Sequence, residues 1–121
     1  MDLNWHFKTS NRRFDPRIPL EMHISTFMND IPKRAYTLDI SESGLYLHTL
    51  PQDPALTFAP IALEFSLPGI PETIWAMGET RRDFEDDYFY GLGIRFTRMA
   101  SLHERLIVDY CSQKREALRL S

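Results

Sequence analysis

Ile18-Pro19-Leu20-Glu21-Met22-His23-Ile24-Ser25 alternates from residue to residue: Ile18, Leu20, Met22 and Ile24 are apolar, while Glu21, His23 and Ser25 are polar. A period of two marks a strand that buries one face. Asn29-Asp30-Ile31-Pro32 breaks the pattern with turn-forming residues. Extended character resumes from Arg34 to Ile40, halts at Ser41-Glu42-Ser43-Gly44 and returns from Leu45 to Leu50, which reads as a hairpin on a short polar connection. Further out, Ile61 to Leu67 lies between Pro60 and Pro68-Gly69 and reads as a fourth strand. Thr73 to Arg81 and Tyr88 to Thr97 read as the fifth and sixth, with the acidic Asp83–Asp87 stretch turning between them. Short strands with frequent turn signals predict a mainly β fold, a small sandwich or barrel.

The period changes over the last twenty residues. Leu102, Leu106, Ile107, Tyr110, Cys111 and Leu118 fall on one helical face. Ser101 precedes them as N-cap with Glu104 three positions on, a capping box. Lys114, Arg115 and Arg119 stand near the C-terminal end, where cations suit the helix dipole. The expected organisation is a flexible N-terminal arm over residues 1–17 and a β-barrel-like domain over 18–121, closed by one helix from about residue 101.

The chain has 121 residues, the length of one domain, and a formal net charge of −3. That balance argues against a general nucleic-acid coat or a polybasic membrane binder, so no DNA or RNA is expected as partner. No stretch approaches the roughly 20 apolar residues that span a bilayer, so no membrane insertion is expected. Met1–His6 shows no basic region followed by an apolar run, and the single cysteine, Cys111, excludes an internal disulfide. These features point to the cytoplasm. The charge is uneven, however. Residues 8–17 hold Lys8, Arg12, Arg13 and Arg17 against Asp15 alone, whereas residues 79–87 hold five acidic residues against Arg81 and Arg82. The basic segment suits a small anionic ligand, or is simply a solvated arm.

Enzyme signatures are missing. The chain contains no G-x-S-x-G, H-E-x-x-H, Walker loop or G-x-G-x-x-G. Gly91-Leu92-Gly93 sits inside a strand pattern and marks a bulge or a close backbone approach. His6, His23, His48 and His103 are dispersed, with no cysteine at ligand spacing, and His23 belongs to a polar strand face. Cys111, on the apolar helix face, reads as a buried inert thiol. The Asp83–Asp87 carboxylates read as a solvated hairpin tip rather than a cation site. No nucleophile, base and orienter come together, so neither catalysis, nor a metal, nor a cofactor is expected.

Two motifs stand out. Arg13-x-x-x-Arg17 lies within Asn11-Arg12-Arg13-Phe14-Asp15-Pro16-Arg17, and Asp39-x-Ser41-x-x-Gly44 begins one strand later. With eleven arginines in the chain, R-x-x-x-R arises about once by chance, but D-x-S-x-x-G only about 0.02 times. The second motif has a plain structural reading, a hairpin in which Asp39 and Ser41 bond nearby backbone and Gly44 takes a positive φ. It also has a chemical one. Arginine presents a planar fork of donors to guanine O6/N7 or to phosphate. Asp39 accepts from guanine N1–H and N2–H₂, Ser41 offers a hydroxyl, and Gly44 allows close backbone approach.

Together the motifs resemble the PilZ domain, a bacterial receptor family for cyclic di-GMP. The resemblance covers about residues 10–115 and includes Tyr90-Gly91-Leu92-Gly93-Ile94-Arg95-Phe96, which is similar to that family's late glycine-rich strand. It implies a six-stranded antiparallel split barrel with a C-terminal helix. It also implies cyclic di-GMP as ligand, no cofactor and no enzymatic activity. On this resemblance Arg13 and Arg17 bind guanine and phosphate from the arm, and Asp39, Ser41 and Gly44 line the other guanine. Arg12, directly before the first motif, corresponds to an extra arginine associated with two intercalated nucleotides per chain rather than one. Asn11, Ser43 and Trp75 are ligand-proximal candidates, although an aromatic in a barrel strand is more often core. The implied role is to relay the signal to a downstream protein controlling motility, surface attachment or exopolysaccharide, through an arm, carrying Trp5 and Phe7, that folds over the ligand. The competing readings are a barrel of the same fold acting by protein contacts without nucleotide, a small-barrel binder of single-stranded nucleic acid, and, remotely, a small hydrolase.

Overall fold

The alternation that opens the chain becomes a long strand, β1 (Ile18–Met28), which turns straight into β2 (Ile31–Ser41). The computed structural model describes residues 17–49, 60–85 and 90–120. The other strands are β3 (Gly44–Thr49), β4 (Pro60–Phe65), β5 (Ile74–Glu85) and β6 (Tyr90–Met99), and the helix, α1, spans Ser101–Leu120. All neighbours are antiparallel, in the closed order β1-β2-β3-β6-β5-β4. β1 closes the ring by pairing with both β2 and β4, with Ser25 opposite Glu64 and Phe27 opposite Ala62. Closure leaves no open strand edge to aggregate.

Period two sorts the side chains. Ile18, Leu20 and Ile24 of β1 turn inward with Leu45, Leu47, Ile61, Leu63, Ile74, Ile94 and Phe96, and all are buried. Burying each such side chain contributes roughly 1.5–3 kcal/mol. Ile107, Tyr110 and Cys111 of α1 complete this core, with Leu106 partly buried, and the helix packs against β1, β2 and β5. Cys111 is a buried thiol, as its helical position predicts.

Several boundaries differ from the sequence expectation. Asn29 and Asp30 form a two-residue turn with φ of 52° and 64°, so Ile31 and Pro32 already belong to β2 rather than to the break. Pro32 is tolerated because, among the described residues, β2 pairs only with β1 there; its ladder with β3 covers Tyr36–Ser41. β4 ends at Phe65, although Leu67 beyond it is still buried. β6 is described from Tyr90; Tyr88, where the sequence pattern begins the strand, lies outside the described residues. β5 runs on to Glu85 through the first half of the expected Asp83–Asp87 turn, because Phe84 and Glu85 pair with Gly91 and Tyr90. Cross-strand pairing there overrides the weak strand propensity of acidic residues. The register shift between Arg81 and Phe84 falls opposite Gly91–Gly93, the irregularity which those glycines predict.

The helix start also moves. Ser101 is already helical and the Ala100 carbonyl accepts the Glu104 N–H (3.0 Å), so Ala100, not Ser101, occupies the cap position. Leu102 and Leu118, expected on the buried face, are 60% and 57% exposed. Ile107, Tyr110 and Cys111, midway along the helix, take the buried face instead. Trp75 is not core either. It is 49% exposed, because its neighbours Ile74 and Ala76 take the inward positions of β5.

Candidate functional site

Arg17 immediately precedes β1, whose first residue pairs with Ile40 near the end of β2. This register brings the arginine alongside Asp39 and the β2–β3 turn, 22 residues on in sequence. The Arg17 guanidinium spends its donors on one motif. Nε donates to Asp39 Oδ1, one Nη to Ser41 Oγ (3.4 Å) and the other to the Gly44 carbonyl (3.3 Å). Thus one fork meets all three named positions of D-x-S-x-x-G.

Asp39 faces this arginine because of a slip in β2. Ala35 and Thr37 point inward, and simple alternation would send Asp39 inward too; instead Ile40 is buried and Asp39 lies on the outer face. Both ladders of β2 shift register here, between Pro19 and Met22 on one side and between Thr37 and Asp39 on the other. A one-residue slip exchanges the two faces of a strand. The slip disturbs the backbone of β1, and Thr37 repairs it. Its fully buried hydroxyl accepts from the Met22 N–H (3.3 Å) and faces the Leu20 and Met22 carbonyls.

The turn itself is tied on every side. Ser41 Oγ accepts the Ser43 N–H (3.2 Å) and shares a hydrogen bond with Ser43 Oγ (3.0 Å). The Ser43 carbonyl accepts the Phe96 N–H of β6 (2.9 Å). The Glu42 carboxylate takes a bidentate grip from Arg115 of α1, with both contacts at 2.6 Å. Gly44 does not take a positive φ; the only such glycine among the described residues is Gly69. Its role is close approach: a Cβ at position 44 would lie 1.9 Å from the Ile94 carbonyl oxygen. The same approach sets Gly44 opposite Arg95, which pairs in turn with Glu79 of β5 and bonds its carboxylate (3.2 Å).

The site therefore holds a guanidinium and a carboxylate on a rigid frame. Their pair is about one-third exposed on each side, 36% for Arg17 and 29% for Asp39. An ion pair so open to water contributes only about 0–1 kcal/mol, so a ligand offering donors to Asp39 and acceptors to Arg17 displaces it easily. Among the described residues no cluster of His, Cys, Asp or Glu could hold a metal ion.

Of the candidate residues, Arg17, Asp39, Ser41, Ser43 and Gly44 come together. Asn11, Arg12 and Arg13 lie outside the described residues, as does the rest of the arm. Trp75 is not drawn into the cluster: its ring stacks on Phe27 (6.0 Å, 26°) and its backbone N–H donates to His103 Nδ1 (3.1 Å). The sequence reading overlooked Thr37, Glu42, Arg95 and Arg115. Only Thr37 left a signal, a hydroxyl at an inward position of an alternating strand.

The PilZ domain family model matches residues 11–113. The chain belongs to the PilZ domain family. Solved structures agree on the PilZ fold. The Bacillus subtilis inhibitor of motility MotI/DgrA superposes with a TM-score of 0.74 at 15% identity, covering 85% of this chain and 51% of that one. The K. pneumonia MrkH–c-di-GMP complex gives 0.66 at 17% identity, covering 88% and 54%. The Borreliella burgdorferi PlzA protein in complex with c-di-GMP gives 0.59 at 18%, covering 90% and 45%. The chain thus spans about half the length of these structures. No curated protein matches the sequence. Among the described residues no helix is long and apolar enough to cross a membrane.

Proposed function

We propose that this PilZ chain is a receptor for cyclic di-GMP with no enzymatic activity of its own. The supporting observation is the convergence of the two motifs: Arg17 of R-x-x-x-R is already seated on Asp39, Ser41 and the Gly44 carbonyl. A guanine edge supplies to Asp39 the donors that Arg17 supplies without ligand, and it leaves the arginine fork for O6/N7 or a phosphate. Ser41 is pre-oriented by Ser43. Arg13, and Arg12 beside it, approach from the N-terminal segment and clamp the nucleotide from the other side. Arg12 favours an intercalated pair of nucleotides over one. Ordering of that segment over the barrel, with Trp5 and Phe7, then presents a new surface to a downstream protein controlling motility, surface attachment or exopolysaccharide.

Calorimetric titration with cyclic di-GMP tests this. The wild type binds, and Arg17→Ala or Asp39→Ala lowers affinity about 10- to 100-fold while the barrel stays folded, as expected for lost charge-assisted hydrogen bonds. The fitted stoichiometry distinguishes one nucleotide from two. A folded wild type that gives neither heat nor thermal stabilisation overturns the reading and leaves a structural hairpin on a protein-contact module.

A further inference from the structure

Arg95 is the one arginine of β6 opposite the D-x-S-x-x-G turn, and nothing in either motif names it. Its neighbours Ile94 and Phe96 are buried in the lumen, so Arg95 stands on the outer face. The register places it between Gly44 of β3 and Glu79 of β5. Two contacts fix β6 against the turn there. The Ser43 carbonyl holds the Phe96 N–H, and the bare Cα of Gly44 lets the Ile94 carbonyl come closer than any side chain allows. The residue between Ile94 and Phe96 is therefore held beside the same glycine that receives Arg17 on its carbonyl.

The state of Arg95 is also incomplete. Its only ion pair among the described residues is the single 3.2 Å contact with Glu79, and its Nε is buried with no hydrogen-bond partner. The next row repeats the arrangement: Arg81 lies opposite Gly93, and its Nε too is buried and unpartnered. Two under-used guanidinium groups thus stand on β5–β6, one opposite Gly93 and the other opposite Gly44, the glycine whose carbonyl Arg17 holds.

We propose that Arg95 is a third ligand-binding arginine, which takes a phosphodiester of the nucleotide across Gly44 while Glu79 serves as its counter-ion in the empty site. This rests on the cyclic di-GMP reading and names a group which that reading lacks. Asp39 and the turn read the base, Arg17 is released from Asp39 as the base enters, and Arg95 meets the anionic linkage on the far side of the glycine. Glu79 is a competitor for the phosphate as well as a tether. Neutralising Glu79 therefore strengthens binding, whereas a purely structural Arg95–Glu79 pair would make both substitutions harmful.

The test is titration of cyclic di-GMP into the full chain as wild type, Arg95→Met, Arg95→Lys and Glu79→Gln, with a thermal melt of each. Arg95→Met keeps the packing stem and removes the charge; it lowers affinity about tenfold, the equivalent of one charge-assisted contact. Arg95→Lys restores part of the loss, and Glu79→Gln tightens binding a few-fold by the removal of a competing carboxylate. A wild type that binds while Arg95→Met and Arg95→Lys match it overturns the Arg95 assignment alone. Equal weakening by Arg95→Met and Glu79→Gln, with equal loss of melting temperature, overturns it in favour of a structural pair. A wild type that does not bind overturns the receptor reading and this proposal with it.

Discussion

Two tight hairpin turns among the described residues differ in almost every respect but length. Asn29-Asp30 joins β1 to β2 with both residues exposed and both at positive φ. Glu42-Ser43 joins β2 to β3 with no positive φ, a buried Ser43, and ties to Arg115 and Phe96. The first turn is a local solution: left-handed residues at both positions match the twist of a two-residue hairpin, and Asn and Asp tolerate that conformation best after glycine. The second is a tertiary one, its geometry imposed by contacts with Phe96 and Arg115, the latter 73 residues away in sequence. A turn that only reverses the chain needs suitable φ angles; a turn that must hold a ligand needs its polar groups fixed from outside.

Breaking the second turn should hurt far more than changing the first. The largest effect belongs to Gly44→Ala. The added Cβ meets the Ile94 carbonyl oxygen at 1.9 Å, backbone that cannot rotate away. A loss of about 3 kcal/mol or more is expected in urea denaturation, with loss of nucleotide binding. Thr37→Val comes next. It keeps the shape and strips the hydroxyl that serves Met22 and Leu20, so about 2 kcal/mol should be lost. Because the same slip aims Asp39 outward, affinity for cyclic di-GMP should also fall; unchanged binding would show that Asp39 is positioned by Arg17 alone. The smallest effect is at the first turn. Asp30→Gly removes a left-handed non-glycine residue and should change stability by less than about 1 kcal/mol, in the stabilising direction, with binding untouched.

The legible and illegible parts of the molecule divide along the same line. Alternation named all six strands, and the change of period named the helix, because one buried face per element leaves its mark on neighbouring residues. Element ends were less legible. Pro32, Ser101 and Glu85 were displaced from their expected roles by pairing and packing that a local pattern does not carry. Trp75 went outward because parity, not hydrophobicity, assigns a strand residue its face.

By itself the sequence determined the strand and helix inventory, the β1–β2 turn and the residue types of the two motifs, for these depend on local φ preferences, on period and on chemistry. Only the tertiary structure decided that β2 slips at Leu38 so that Asp39 meets Arg17, that Thr37 repairs the slip, that Gly44 is required by Ile94 rather than by its own φ, and that Arg95 stands opposite Gly44. Each of these turns on how one strand registers against another, and register is settled by the closed ring as a whole, not by any stretch of chain within it.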